Sequence, residues 1–349
     1  MEDMVRRPDP AFWAGRRVLV TGHTGFKGAW AVRMLAALGA EVTGFALDPA
    51  PGPSAFAALD VPGALRRDLR GDLRDGEKLR EAVEGSEVVL HLAAQALVSE
   101  GFRDPAGTWS SNVAGTLNLM QAMRGVDVVA AVIVTSDKVY RNEGDRAFVE
   151  SDPLGGDDPY SASKAACEIL VASHRASFAD LPPFATARAG NVIGGGDFGQ
   201  DRLIPDLVGA LQAGEVLVLR NPAATRPFQH VLDVVAGYLL LAESLAAGSA
   251  PEAVNFGPAA AELPVSALLD HWQEATGQAI NWRLFDGPPM PEKSRLALDS
   301  RLARSRLDWT PRRDTAQAVA ETADWYRDWA AGGDMARAAD LAIRAELKA

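Results

Sequence analysis

Tyr160 and Lys164 stand four residues apart, and Ser136, Asp137 and Lys138 form a run upstream of them. On a helix, residues at this spacing share a face. An ammonium beside a phenol favours the phenolate, so the pair predicts a tyrosine titrating below its free pKa of about 10. Such a tyrosine can take a hydroxyl proton as an alcohol is oxidised. Asp137 and Lys138 add an acid and an amine that plain alcohol oxidation does not need. A surface ion pair is the competing reading of those two. Their place after an apolar strand, where ligands meet parallel sheets, favours chemistry.

Chemistry of this kind needs a hydride carrier, and Gly22-His23-Thr24-Gly25-Phe26-Lys27-Gly28 offers its site. The glycines let a backbone approach a pyrophosphate at the positive end of a helix. Asp48 lies 20 residues beyond Gly28. A carboxylate there accepts bonds from ribose hydroxyls and repels a 2′-phosphate, which favours NAD over NADP. Arg33 and Lys27 are close enough in sequence to soften that preference. Asp72 and Leu73 are expected near the adenine, and Leu92, Ala93, Ala94 and Gln95 where the cofactor crosses the sheet edge.

The elements that must position these residues are legible as alternation. Val18–Thr21, Glu41–Leu47, Val88–Ala93 and Val128–Thr135 read as buried strands, separated by helical stretches such as Gly25–Leu38 and Thr108–Met123. This predicts an α/β fold with a doubly wound parallel sheet of Rossmann type. Beyond Phe184 the pattern loosens, and the residues from Asp314 onward read as Ala-rich helix. The expected division is 1–183 with a returning piece at 228–250 for the dinucleotide, and 184–227 with 251–349 as a smaller, discontinuous substrate domain. Trp272, Trp282, Trp309 and Trp325 are expected to pack that smaller domain, and His230 to be structural.

The chain has 349 residues, 48% hydrophobic, enough for a substantial core. With 35 basic against 46 acidic residues the net charge is −11, which argues against general nucleic-acid binding. The single cysteine, Cys167, excludes an intrachain disulfide and reads as a small buried residue. Neither it nor the five histidines have zinc-ligand spacing. The opening lacks an apolar signal core, and no apolar run nears the roughly 20 residues of a membrane span. The expectation is a cytoplasmic protein that binds neither membrane nor nucleic acid.

The chain also resembles the extended short-chain dehydrogenase/reductases that act on nucleotide sugars, and among them the CDP-glucose 4,6-dehydratases. The resemblance runs over nearly the whole chain, through Val20–Gly28, His91–Gln95, Arg103–Pro105, Asn112–Thr116, Thr135–Lys138, Asp152–Gly156, Ala189–Asp197, Asp201–Asp206 and Arg220–His230. The glycine motif and Tyr-x-x-x-Lys mark only the superfamily; the Ser-Asp-Lys run and the Arg-Asn-Pro to Gln-His segment are more specific. It implies tightly held NAD and a 4,6-dehydration of CDP-glucose. Tyr160, helped by Lys164 and Ser136, would take the C4 hydroxyl proton. Asp137 would protonate the departing C6 hydroxyl, and Lys138 would remove the C5 hydrogen. A lysine base must be neutral, which desolvation and the Lys164 charge would have to bring about. The resemblance also places Asn112 and Thr135 at the cofactor. It places Gln95, Ser136, Asn191, Leu203, Ile204, Val218, Arg220, Arg226, Gln229 and Glu292 at the nucleotide sugar. It implies a homodimer paired through the helices at 108–123 and 160–178.

The chain departs from that pattern in three places. Arg141–Glu150 lacks the tryptophans and the Gly-Tyr of the family, Pro291-Glu292 stands where it has His-Glu, and Glu100 is acidic where it tends to be basic. These leave the cofactor chemistry intact and bear on which sugar or nucleotide is accepted. The rival readings are an NAD-dependent epimerase or dehydratase of another nucleotide sugar, and a non-catalytic dinucleotide-sensing protein on the same fold. Retention of Tyr160, Lys164 and Ser136 weighs against the last.

Overall fold

The computed structural model describes residues 5–141, 146–259, 261–287 and 293–348. Seven parallel strands form one sheet: β1 (Arg17–Thr21), β2 (Glu41–Ala46), β3 (Arg67–Arg70), β4 (Val88–His91), β5 (Ala130–Val134), β6 (Phe184–Ala189) and β7 (Ala253–Phe256). Their spatial order is β7-β6-β5-β4-β1-β2-β3. The order reverses between β1 and β4, which opens a crevice beyond their C-terminal ends.

Period-2 alternation distributes the strand side chains between two cores. Leu19, Val89, Ala131 and Ile133 enter one core, which includes Leu79, Leu119 and Val171. Val18, Val20, Val88, Leu90 and Val132 enter the larger core on the opposite face. β4 and β5 are buried along their whole length, as expected of strands covered on both sides. The helices that matter for the site are α1 (Phe26–Ala37), α2 (Gly115–Ala122), α3 (Pro159–Ser177), α4 (Val231–Ala246), α5 (Thr315–Ala330) and α6 (Met335–Leu347).

The doubly wound parallel sheet is as expected, with differences in detail. The helix read over 108–123 is Pro105–Trp109, a π-helical turn at Ser110–Ala114, and α2. That turn carries Asn112. The C-terminal helix is two helices, α5 and α6, parted by Gly332 and Gly333.

The division at 184 and 251 is corrected: β6 and β7 belong to the main sheet, beside β5. The stretch 185–189 reads as strand, but nothing in it says which sheet it joins, and β7 is only Ala253–Phe256. α6 also packs on α1 of the main body. Trp309 belongs to the main body too, stacking edge-on with Phe256 and bonding the Asp233 carbonyl at 2.9 Å. Trp282 packs no core; it is 42% exposed on the small sheet that Trp282–Leu284 forms with Leu217–Leu219.

Candidate active site

At the end of β5 the chain leaves the sheet through Thr135 and Ser136 into a single 3-10 turn, Asp137–Val139. The Ser136 hydroxyl accepts from the Lys138 amide at 3.2 Å and donates to Asp137 Oδ1 at 3.1 Å. Asp137 is buried, and its Oδ2 has no hydrogen-bond partner. Burial holds its carboxyl above the ordinary value, against Lys138, the Ser136 bond, Arg226 and Lys293. Lys138 is half-buried beside it.

α3 brings the other half. Asp158 caps it, accepting the Ser161 amide at 2.9 Å, and Pro159 occupies the first helical position. Tyr160 and Lys164 are both buried on this helix, and the Lys164 amine donates to the Val134 carbonyl at 3.1 Å. Burial pushes the Tyr160 phenol up to about 12, against a side-chain hydrogen bond with Ser136. The expected downward shift is therefore reversed, because desolvation outweighs every attraction. Lys164 is itself pushed down by desolvation, with Cys167 and Glu168 opposing.

A buried network that spacing did not reveal fixes these pieces. Glu168, one turn beyond Lys164, accepts from the Thr135 hydroxyl, from Thr186 at 2.7 Å, and from Arg188 Nε at 3.0 Å and Nη2 at 2.7 Å. Arg188 also reaches the Tyr140 hydroxyl at 2.8 Å, which donates to Asn255 at 2.6 Å. The signal was present: an arginine inside the buried strand Phe184–Ala189 must have a buried partner.

The glycine loop lies at the switch point. Gly22 has φ +75°, and a methyl there would stand 2.7 Å from the Ala93 amide nitrogen. A methyl at Gly28 would stand 2.1 Å from the Gly22 carbonyl oxygen. α1 starts at Gly25 with no side-chain cap, so its first amides are available to an anion. Lys27 stands in the electrostatic field of Lys164, Arg202, Asp137 and Asp197, and is lowered to about 8 by burial and those cations. Tight glycines, open helix amides and converging cations fit a dinucleotide pyrophosphate. Asp48 is 86% exposed at the end of β2, 3.6 Å from Arg70. Arg33 turns away to pair with Asp340, so it does not neighbour Asp48.

Several expected contacts are committed elsewhere. Thr24 donates to the Leu47 carbonyl at 3.1 Å, and Phe26 is half-buried at the head of α1. Asp72 is held by Arg74, whose hydrogen bond lowers its carboxyl, and Leu73 is core. Gln95 spends its amide on Thr108 at 2.8 Å and the Leu97 carbonyl at 3.0 Å. Asn112 joins the Gln95 backbone to Ser163. Leu92, Ala93 and Ala94 are half-buried beyond β4.

On the sugar side, Arg226 is buried within the field of Asp137, whereas Arg220 is exposed and faces Asp206. Asn191 is half-buried and its carbonyl accepts the Gln229 amide at 3.0 Å. Gln229 donates to the Phe256 carbonyl at 2.7 Å, leaving its Oε1 buried without a partner. Leu203 is half-buried and Val218 is 39% exposed, but Ile204 is 3% exposed and packed in the main core. The place at the nucleotide sugar that the resemblance gave Ile204 is thereby corrected. Glu292 lies outside the described residues. His230 is structural, its Nδ1 accepting the Leu232 amide at 3.3 Å to start α4. Cys167 is buried and donates to the Asn112 carbonyl at 3.2 Å. Among the described residues no His, Cys, Asp and Glu gather to hold a metal, and no helix is long and apolar enough to cross a membrane.

Known proteins are similar to this chain in sequence and fold. The chain is 39% identical over 342 residues to the CDP-glucose 4,6-dehydratase of Salmonella typhimurium, covering 94% of this chain and 95% of that one. It is 30% identical to a dTDP-glucose 4,6-dehydratase of Streptomyces antibioticus, over 89% of this chain and 92% of that one. Among solved structures, a double mutant of DesIV, a dTDP-glucose 4,6-dehydratase from Streptomyces venezuelae, with NAD bound, superposes with a TM-score of 0.80 at 27% identity, covering 91% of this chain and 99% of that one. Residues 18–257 match the model of one family, a span that includes the glycine loop, the Ser136–Tyr140 turn and the Tyr160–Lys164 helix. The chain therefore belongs to the NAD dependent epimerase/dehydratase family.

Proposed function

We propose that the chain converts CDP-glucose to CDP-4-keto-6-deoxyglucose. The observation that carries this reading is Asp137, a buried carboxyl with an unpartnered oxygen beside Lys138, joined through Ser136 to the oxidising pair Tyr160 and Lys164. An enzyme that only moves hydride needs no second acid and amine at this place. The likeness to the Salmonella enzyme supports the cytidine-linked substrate.

The open amides of α1 and Lys27 would hold the cofactor pyrophosphate, and Asp48 would take the ribose hydroxyls. When bound, NAD supplies the hydride acceptor for C4 and the donor for C6. Tyr160 takes the C4 hydroxyl proton. Because its phenol stands near 12, the Lys164 charge one turn below must stabilise the phenolate as it forms. The C4 ketone acidifies the C5 hydrogen, which Lys138 removes while Asp137 protonates the departing C6 hydroxyl. Burial suits Asp137 to that step by keeping its proton to higher pH. Arg226 lies close enough to steer the sugar diphosphate, and Arg220 serves the outer end.

Two further readings belong with this one. The protein works as a homodimer through Pro105–Trp109, α2 and α3, where Trp109 is 42% and Ile169 60% exposed. Its compartment is the reducing cytoplasm, in keeping with the unpaired Cys167.

Incubation with CDP-glucose, dTDP-glucose and UDP-glucose, followed by mass spectrometry, tests the assignment. Loss of water from CDP-glucose in preference to the others is expected. Water loss from another nucleotide sugar alone overturns the substrate, and a product of unchanged mass points to an epimerase.

A further inference from the structure

Among the groups facing Asp137, one comes from a part of the chain that motif reading passed over. Lys138 faces it from its own turn, Arg226 from the strand Thr225–Arg226, Lys27 from α1 and Tyr160 from α3. A further one is Lys293, at the start of the segment 293–298.

Its backbone is fixed from the next residue onward. The Thr225 amide donates to the Ser294 carbonyl at 2.9 Å, the Leu296 amide to Thr225 at 3.2 Å, and the Phe148 amide to Ala297 at 2.9 Å. From this ladder the half-buried Lys293 amine donates to the Tyr140 carbonyl at 2.8 Å. Tyr140 ends the turn that carries Asp137 and Lys138, and its hydroxyl is locked by Arg188 and Asn255. Asp157 and Asp158 also face the Lys293 amine, and Asp158 is the cap of α3. The lysine thus stands between the two catalytic pieces, the Ser136–Tyr140 turn and the start of the Tyr160 helix.

We infer that Lys293 is a positioning residue of the active site, an ammonium carried in by the 293–298 segment to hold the Ser136–Tyr140 turn and face Asp137 across it. A plain surface lysine would leave its amine in water. This one accepts partial burial, which disfavours its charge, against the attraction of Asp157, Asp137 and Asp158. The consequence for Asp137 has a sign. Burial alone would keep its proton to high pH, and the ammonium draws that point back down. Lys293 therefore joins Lys138, the Ser136 bond and Arg226 in lowering the pH at which the acid is spent. The role in turnover rests on the dehydratase reading, whereas the charge effect on Asp137 does not.

The test uses the full-length protein with NAD. The infrared carbonyl stretch of protonated Asp137, assigned by its disappearance in Asp137→Asn, is titrated in the wild type, Lys293→Met and Lys293→Arg. Lys293→Met is expected to move the Asp137 midpoint upward, the direction in which loss of a neighbouring cation acts. Lys293→Arg keeps it near the wild type. The alkaline limb of CDP-glucose dehydration should move with it. An Asp137 midpoint unmoved in a folded Lys293→Met protein overturns the inference. If the wild type does not turn over CDP-glucose, the functional reading fails, and the infrared titration still decides the role of Lys293.

Discussion

Tyr160 and Asp137 are both buried, and burial acts on each in the same direction, holding the proton. For Asp137 this suits an acid. For Tyr160 it opposes the work of a base, so Lys164 has to act on the phenolate only as it forms. Tyr160→Phe should lower turnover by roughly 10²–10⁴-fold, the usual contribution of a placed acid–base group, while NAD binding followed by fluorescence is retained. Gly28→Ala should act in the opposite way. Its methyl would stand 2.1 Å from the Gly22 carbonyl oxygen, so NAD binding is lost before chemistry is reached. Types and spacing made Tyr160, Lys164 and the glycine loop legible in the sequence. The direction of the Tyr160 shift was not, because desolvation depends on what folds over the ring. Lys293 had no motif at all, and only the ladder at 294–297 brings it to the turn.

At the scale of elements, the site depends on α3 keeping its place against β5 and β6. Glu168 and Arg188 do this as a buried ion pair with side-chain exposures of 4% and 5%. Such a pair contributes little net stability over an apolar substitute, but breaking it strands a buried charge. Arg188→Met should therefore destabilise the protein by about 3–5 kcal/mol in urea unfolding, and Arg188→Met with Glu168→Leu should recover a large part of that. The single variant should also lose activity, because Thr135 and Tyr140 hang on the same pair. β1, β4 and β5 were readable because buried parallel strands are near-continuous apolar runs, and β2 by Val42, Phe45 and Ala46 between turns. β3, with its Arg67-Asp68-Leu69-Arg70 at the sheet edge, was less so, and the π turn at Ser110–Ala114 left no mark in apolar periodicity.

At the scale of the molecule, the chain returns repeatedly to the main body, through β6, β7 and α6. α6 is fastened to α4 by Arg313, which contacts Glu346 Oε2 at 2.6 Å and Asp233 Oδ1 at 3.3 Å. Burial and Glu346 raise Asp233 to about 6, against Arg313. The folded protein then binds more protons there than the unfolded chain between about pH 4 and 6, so stability falls as pH rises through that window. A shift of this size is worth up to about 3 kcal/mol, and Asp233→Asn should flatten that part of a melting-temperature profile. An unchanged slope would remove Asp233 as its source.

The central claim is that oxidation at C4 and reduction at C6 are two ends of one internal transfer, with elimination by Asp137 and Lys138 between them. CDP-glucose carrying deuterium at C4 tests this most directly. The expected product is a 4-keto-6-deoxy sugar nucleotide that has lost water and carries the deuterium at C6. A product with its deuterium still at C4, or one that has lost water without deuterium at C6, would contradict it.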